Sequence, residues 1–169
     1  MAEKPLRLRI LEAVTAALEE ITPANGYYHD MSGRVRRGRV IFGRDDEPPF
    51  ISILEAPIPL ESAEPPRNAA IDKGPWELLI QGFVKDDIDH PTDPAHYLLA
   101  DVRKRLAVER RKTNWRKPED GPFGFGKFVD KLRIGAGVVG PADEISPESY
   151  FWLVLALDIV EDLSDPYED

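Results

Sequence analysis

The chain contains no cysteine, which excludes disulfides, thiolate metal sites and cysteine nucleophiles and fits a reducing compartment. It also lacks any long apolar run. The longest, Phe151 to Leu157, is far short of the roughly 20 residues a membrane helix needs. The start, MAEKPLRLRI, has no apolar stretch of the kind a secretory leader carries. A soluble protein with no membrane contact is expected. Basic residues are missing from one region: Pro141 to Asp169 holds nine acids and no Lys or Arg. The net charge of -9 therefore lies entirely there, because the rest of the chain balances 22 acids against 22 bases.

At 169 residues, 42% of them hydrophobic, the sequence can bury one ordinary core and reads as a single domain spanning 1–169. Sixteen prolines against twelve glycines predict long, stiff loops, at 58–75 and 112–128, and loops of that length in a compact domain are commonly binding elements or disordered in isolation. The acidic C-terminal end covers 161–169. Two basic clusters stand out: Arg34, Arg36, Arg37, Arg39 and Arg44, then Arg103, Lys104, Arg105, Arg110, Arg111, Lys112, Arg116 and Lys117. They read either as solvated faces or as patches that meet acids of another subunit or partner.

Ile10, Val14, Ala17, Leu18 and Ile21 recur at helical spacing and predict a helix from about Pro5 to Ile21. Thr22-Pro23 and Asn25-Gly26 end it. Three strands are expected at 34–42, 50–57 and 76–84. The first is rich in arginine and suits a sheet edge; the second is nearly all apolar and suits an inner position. A second helix follows in HPTDPAHYLLADVRKRLAVERR, with Asp93 as N-cap, Pro94 at the first helical position and Leu98, Val102 and Leu106 as its buried stripe. Strands near 128–139 and 149–161 close the chain, the last apolar on both faces. The fold class is α/β in the α+β sense, in the order α-β-β-β-α-β-β. Its mixed, mostly antiparallel sheet of about five strands carries two helices on one face. Two helices cover one face only, so the other is left partly exposed unless loops or a second copy cover it.

The motifs that could carry chemistry are weak. GAGVVG (135–140) matches the glycine spacing of dinucleotide sites, but PADEISPESYFWLVLALDIV follows, with no room for the helix whose N-terminus would hold the pyrophosphate. These glycines are expected to bend a strand or form a tight connection. His90, Asp93 and His96 are spaced wrongly for a helical metal pair, and His29-Asp30 adds little. The histidines read as polar surface groups. No Walker, GxSxG or paired-carboxylate signature is present. The arginine strand and the basic helix end are candidates for nucleic-acid contact, opposed by the net charge and by Asp101, Glu109 and Glu119 between them. Acids from Asp158 onward fit either a solvated tail or a wall past which DNA slides without sticking.

A first helix ending in NGYYHDMSGRVRRGR, then PPFISILEAP, WELLIQGFVKDD, PAHYLLADVRKRL and a final apolar strand, together spanning about Arg7 to Val160, resemble the tail terminator proteins of long-tailed bacteriophages. The proline-rich loop after Pro57, the 121–128 segment and the acidic end depart from that pattern. The resemblance implies a virion structural protein at the tail-neck junction, assembled in the host cytoplasm, with no catalysis and no cofactor. It implies a homohexameric ring that binds the tail tube protein on one side and a neck or head connector protein on the other. DNA would pass through the ring without sequence-specific binding. On this reading Arg34, Arg36, Arg37 and Arg39 are interface residues, joined by Trp115, Phe123 and Phe125 of the second loop, which order on assembly. The alternatives are a head-tail joining or neck protein of related fold, and a small cytoplasmic ligand-binding protein or enzyme.

Overall fold

The computed structural model describes residues 3–43, 45–55, 70–112, 117–143 and 148–169, the side chain of Pro118 aside. Its elements are α1 (Leu6–Glu19), β1 (Val35–Arg37), β2 (Phe50–Glu55), β3 (Ile71–Val84), α2 (Asp93–Arg110), β4 (Val129–Ile134), β5 (Val138–Gly140) and β6 (Ser149–Asp162). The strands form one six-stranded mixed sheet in the order β1-β2-β3-β6-β4, with β5 also on β6. Only β1–β2 is parallel; every other pairing is antiparallel. This is the expected α+β architecture, with β1 at an edge and β2 inside it.

Both helices lie on one face. Leu6, Ile10, Val14, Ala17 and Leu18 of α1 and Ala95, Leu98, Leu99, Val102 and Leu106 of α2 are buried. They join a single core with Trp76, Leu78, Ile80 and Val84 of β3 and Phe151, Leu153, Leu155, Leu157 and Ile159 of β6. The two central strands are each 14 residues long and pair along their whole length, Ile71 opposite Asp162 through Val84 opposite Ser149. That continuity sets the core. Gly82 sits opposite Phe151 within it, and a Cβ there would come 2.1 Å from the phenyl ring, so only glycine lets this fully buried ring lie across the strand.

Several boundaries differ from expectation for local reasons. The strand expected at 34–42 is ordered as strand only over Val35–Arg37, because Gly38 takes a φ of 66° and turns the chain off the edge. β3 begins at Ile71 rather than 76, since pairing with β6 recruits Gly74 and Pro75, and so the end of the loop expected at 58–75 is strand. The strand expected at 128–139 is two pieces, broken at Gly137, where φ is 81° and Leu99 of α2 packs so closely that a Cβ would sit 2.7 Å from its side chain. Thr92, not Asp93, is the N-cap residue of α2 and makes no side-chain capping bond; Asp93 is the first helical residue, where its charge still favours the helix dipole. Residues 58–69 of the first expected loop, Trp115 of the second, Arg44 and Arg116 lie outside the described residues.

Candidate functional site

The sheet face away from the helices is built by the alternate residues of the same strands. Across it run Phe50, Ser52 and Leu54 of β2, Glu77, Leu79, Gln81 and Phe83 of β3, and Tyr150, Trp152, Val154, Ala156 and Asp158 of β6. Val138 of β5 lies beside Trp152, and Arg133 and Lys131 of β4 lie beside Ala156 and Asp158. One end is covered by the chain that leaves β1: Phe42 packs on Phe50 and Phe83 with ring centroids 4.7 and 5.0 Å away, and Ser52 donates to the Arg39 carbonyl at 2.7 Å. The far end carries charge, with Arg133 on Asp158 at 3.1 Å. Between them is an apolar lane of Leu79, Val154, Trp152 and Val138. Trp152 is 40% and Val138 48% exposed among the described residues. β6, expected to be buried on both faces, is thus buried fully on one.

The four arginines proposed for docking are placed differently from one another. Arg34 donates to the Glu47 and Pro49 carbonyls, and Arg36 to the Gly33 carbonyl. Arg39 forms a two-pronged pair with Asp46 at 2.7 Å on each arm and lies over the Phe42 ring. These three bind their own loop. Arg37 is exposed beside the groove that Leu8, Leu11 and Val35 line between α1 and β1, and it has no ion pair among the described residues. Phe123 is buried in the subunit's own core, and Phe125 packs against that core under the Arg9 guanidinium.

Three long-range clusters, none visible as a local motif, hold the loops on the helices. Asp101 of α2 accepts from the backbone N–H groups of Tyr28 and His29 at 3.1 and 2.9 Å and lies 2.9 Å from His29 Nδ1. Expected at the surface, the His29 side chain is in fact nearly buried, and Tyr28 stacks on Tyr97. About two helix turns further, Glu109 accepts the Phe123 N–H at 2.7 Å and is flanked by Arg105 and Lys112 at 2.9 and 2.8 Å. Burial pushes its carboxyl up, but the bonds from Lys112, Phe123 and Arg105 outweigh it and hold the group below its ordinary value. That clamp keeps Phe123 in a left-handed backbone conformation, φ 54°, which is costly for a bulky residue. Finally, the acidic end folds back: Glu161 pairs with Arg7, Glu168 with Lys127 and Asp169 with Arg9, and the Pro166 carbonyl accepts from the Leu6 N–H. It is no loose tail.

Among the described residues no group of three or more His, Asp or Glu side chains is placed to hold a metal, and His90, Asp93 and His96 do not converge. No described helix is long and apolar enough to cross a membrane. A cleft of about 540 Å³ opens between the C-terminal end of α2 and β4, edged by Arg110, Lys112, Lys131 and Arg133 with Pro122 and Val129 in its walls. No protein-family model and no curated protein matches this chain.

Proposed function

We propose that this chain is a ring-forming structural subunit of a bacteriophage tail: the terminator that caps the tail tube and offers the head connector its docking surface. The reading is supported above all by the open sheet face, where Trp152 and Val138 stand exposed beside Leu79 and Val154. A contiguous apolar lane on a sheet is the kind of surface that another protein covers. The segment resemblance supplies which assembly that is. The mechanism is geometric: a homohexameric ring docks on the last tube ring, its outer side does not repeat the tube's docking surface, and polymerisation stops. Neither a cofactor nor a reaction enters it, and DNA passes through the ring without being gripped.

Light scattering over a concentration series, with negative-stain images of the same sample alone and mixed with purified tails, tests the reading. Six-membered rings, free or seated on tube ends, are expected. A monomer that also leaves tail ends bare would overturn it and favour a ligand-binding protein, whereas rings that bind filled heads but not tails would make the protein a neck component.

A further inference from the structure

The loop between β3 and α2 holds an isoleucine in water. Ile88 is 96% exposed, the most exposed large apolar side chain described. It is fixed there, because the Asp87 carboxylate accepts from the N–H groups of Asp89 and His90 at 2.9 and 2.8 Å and closes the turn around it. Asp86, Asp87, Asp89 and Asp93 surround the tip, all exposed, with Lys85 as the one base beside them. Glu148 lies near enough that, after its own burial, the Asp86 charge further raises its pKa. The tip is an apolar knob in a strongly negative collar.

The cleft at the other end of α2 has the complementary character. Among the described residues Arg110, Lys112, Lys131 and Arg133 edge it against a single acid, Asp130, and Pro122 and Val129 give it apolar walls. Arg110 and Lys131 have no acidic partner among the described residues, whereas Lys112 is held by Glu109 and Arg133 by Asp158; Glu161, Asp169 and Glu168 are already on Arg7, Arg9 and Lys127. Knob and cleft sit at opposite ends of an 18-residue helix, about 27 Å apart, so no chain can dock its own knob into its own cleft.

We infer that the Ile88 loop of one copy docks in the basic cleft of a second copy, a head-to-tail contact between the two ends of α2. Two different surfaces meet, so the contact is heterologous and closes into a ring when the rotation per subunit permits. Ile88 supplies the apolar anchor, and the charges supply orientation and speed of encounter. The inference rests on the ring reading and names the lateral contact within that ring, leaving the open sheet face to a different neighbour.

The absence of cysteine makes the test clean. A chain carrying Ile88→Cys and Asp130→Cys keeps all four bases of the cleft; oxidised at assembly concentration, it is expected to give a ladder of covalent oligomers on a non-reducing gel. Neither single variant gives that ladder. Lys131→Glu with Arg110→Glu is expected to weaken association at least about tenfold, and Asp86→Lys with Asp89→Lys in the same chain to restore part of it. Rings seen by negative stain without a ladder would overturn this contact and leave the ring reading standing. Covalent dimers from Ile88→Cys alone would mean that the loops meet each other, which also overturns it. No ladder and no rings, in solution or on tail ends, would remove both.

Discussion

The two faces of the sheet are made by the same two long strands, one residue out of step, and they are finished in opposite ways. On the helix side Trp76, Leu78, Ile80, Leu153, Leu155 and Leu157 are buried under α1 and α2 with no charged residue among them. On the other side the same strands present Glu77, Leu79, Gln81, Trp152, Val154 and Asp158, and among the described residues only the end under Phe42 is closed by the chain's own segment. The helix side is composed by what the subunit needs to fold. The other side mixes apolar and charged groups as interface surfaces do, and this contrast carries the docking reading. Substitutions that separate folding from assembly can break it.

The largest effect is expected on the covered face. Phe151 is fully buried and its ring lies against Gly82, so Phe151→Ala removes a large packed group and leaves a cavity, costing about 3–5 kcal/mol. Gly82→Ala acts from the other side by forcing that ring to move, at about 1–3 kcal/mol. Urea unfolding of the isolated subunit measures both. A loss under about 1 kcal/mol for Phe151→Ala would mean that the covered face is not the core.

Next comes the Glu109 clamp, which ties the aromatic turn to α2. Glu109→Ala leaves Arg105 buried with only the exposed Glu20 opposite and frees the Phe123 N–H, a loss of about 3 kcal/mol. The pH dependence has a definite sign. The folded carboxyl is held below its ordinary value of 4.5, so its contribution is complete above that value. It is lost as pH falls through the lower folded value, because the unfolded chain takes up the proton more readily. Melting temperatures from pH 6 to pH 3 are expected to fall more steeply for the native chain than for Glu109→Ala. Parallel curves would show that the carboxylate is not clamped as described.

What could be read from the sequence was what lies close along the chain or is set by periodicity. The stripe Ile10, Val14, Ala17 and Leu18, the continuous apolar run of β6 and the arginine-rich edge strand each carry their signal within one element. The shortage of helix to cover the sheet followed from counting such elements. The misplaced boundaries are where tertiary pairing overrode local preference: Gly74 and Pro75 look like a loop until β6 provides a partner strand. The loop anchors were invisible for a related reason. His29 and Asp101, like Glu109 and Phe123, meet only once the chain has folded, and an acid-rich end looks like a tail until Arg7, Arg9 and Lys127 are found beneath it. Of the proposed interface arginines, the sequence showed the cluster but not that Arg34, Arg36 and Arg39 satisfy their own loop.

The smallest effect on the subunit, and the sharpest on the comparison, is expected on the open face. Val138 is about half exposed and its neighbours are also incompletely covered, so Val138→Thr is expected to change subunit stability by no more than about 0.5 kcal/mol. Trp152→Gln, which gives up more area, is expected to cost about 1 kcal/mol. If a partner covers this lane, the same pair of changes places a polar group in a desolvated contact and weakens docking far more than folding. Unfolding of the isolated chain and co-sedimentation with purified tails, measured on one preparation of each variant, separate the two quantities. Unfolding losses approaching that of Phe151→Ala would show that the subunit itself already closes this face. Intact folding with intact tail binding would show that the lane is bare surface, and the docking reading of this face would fall.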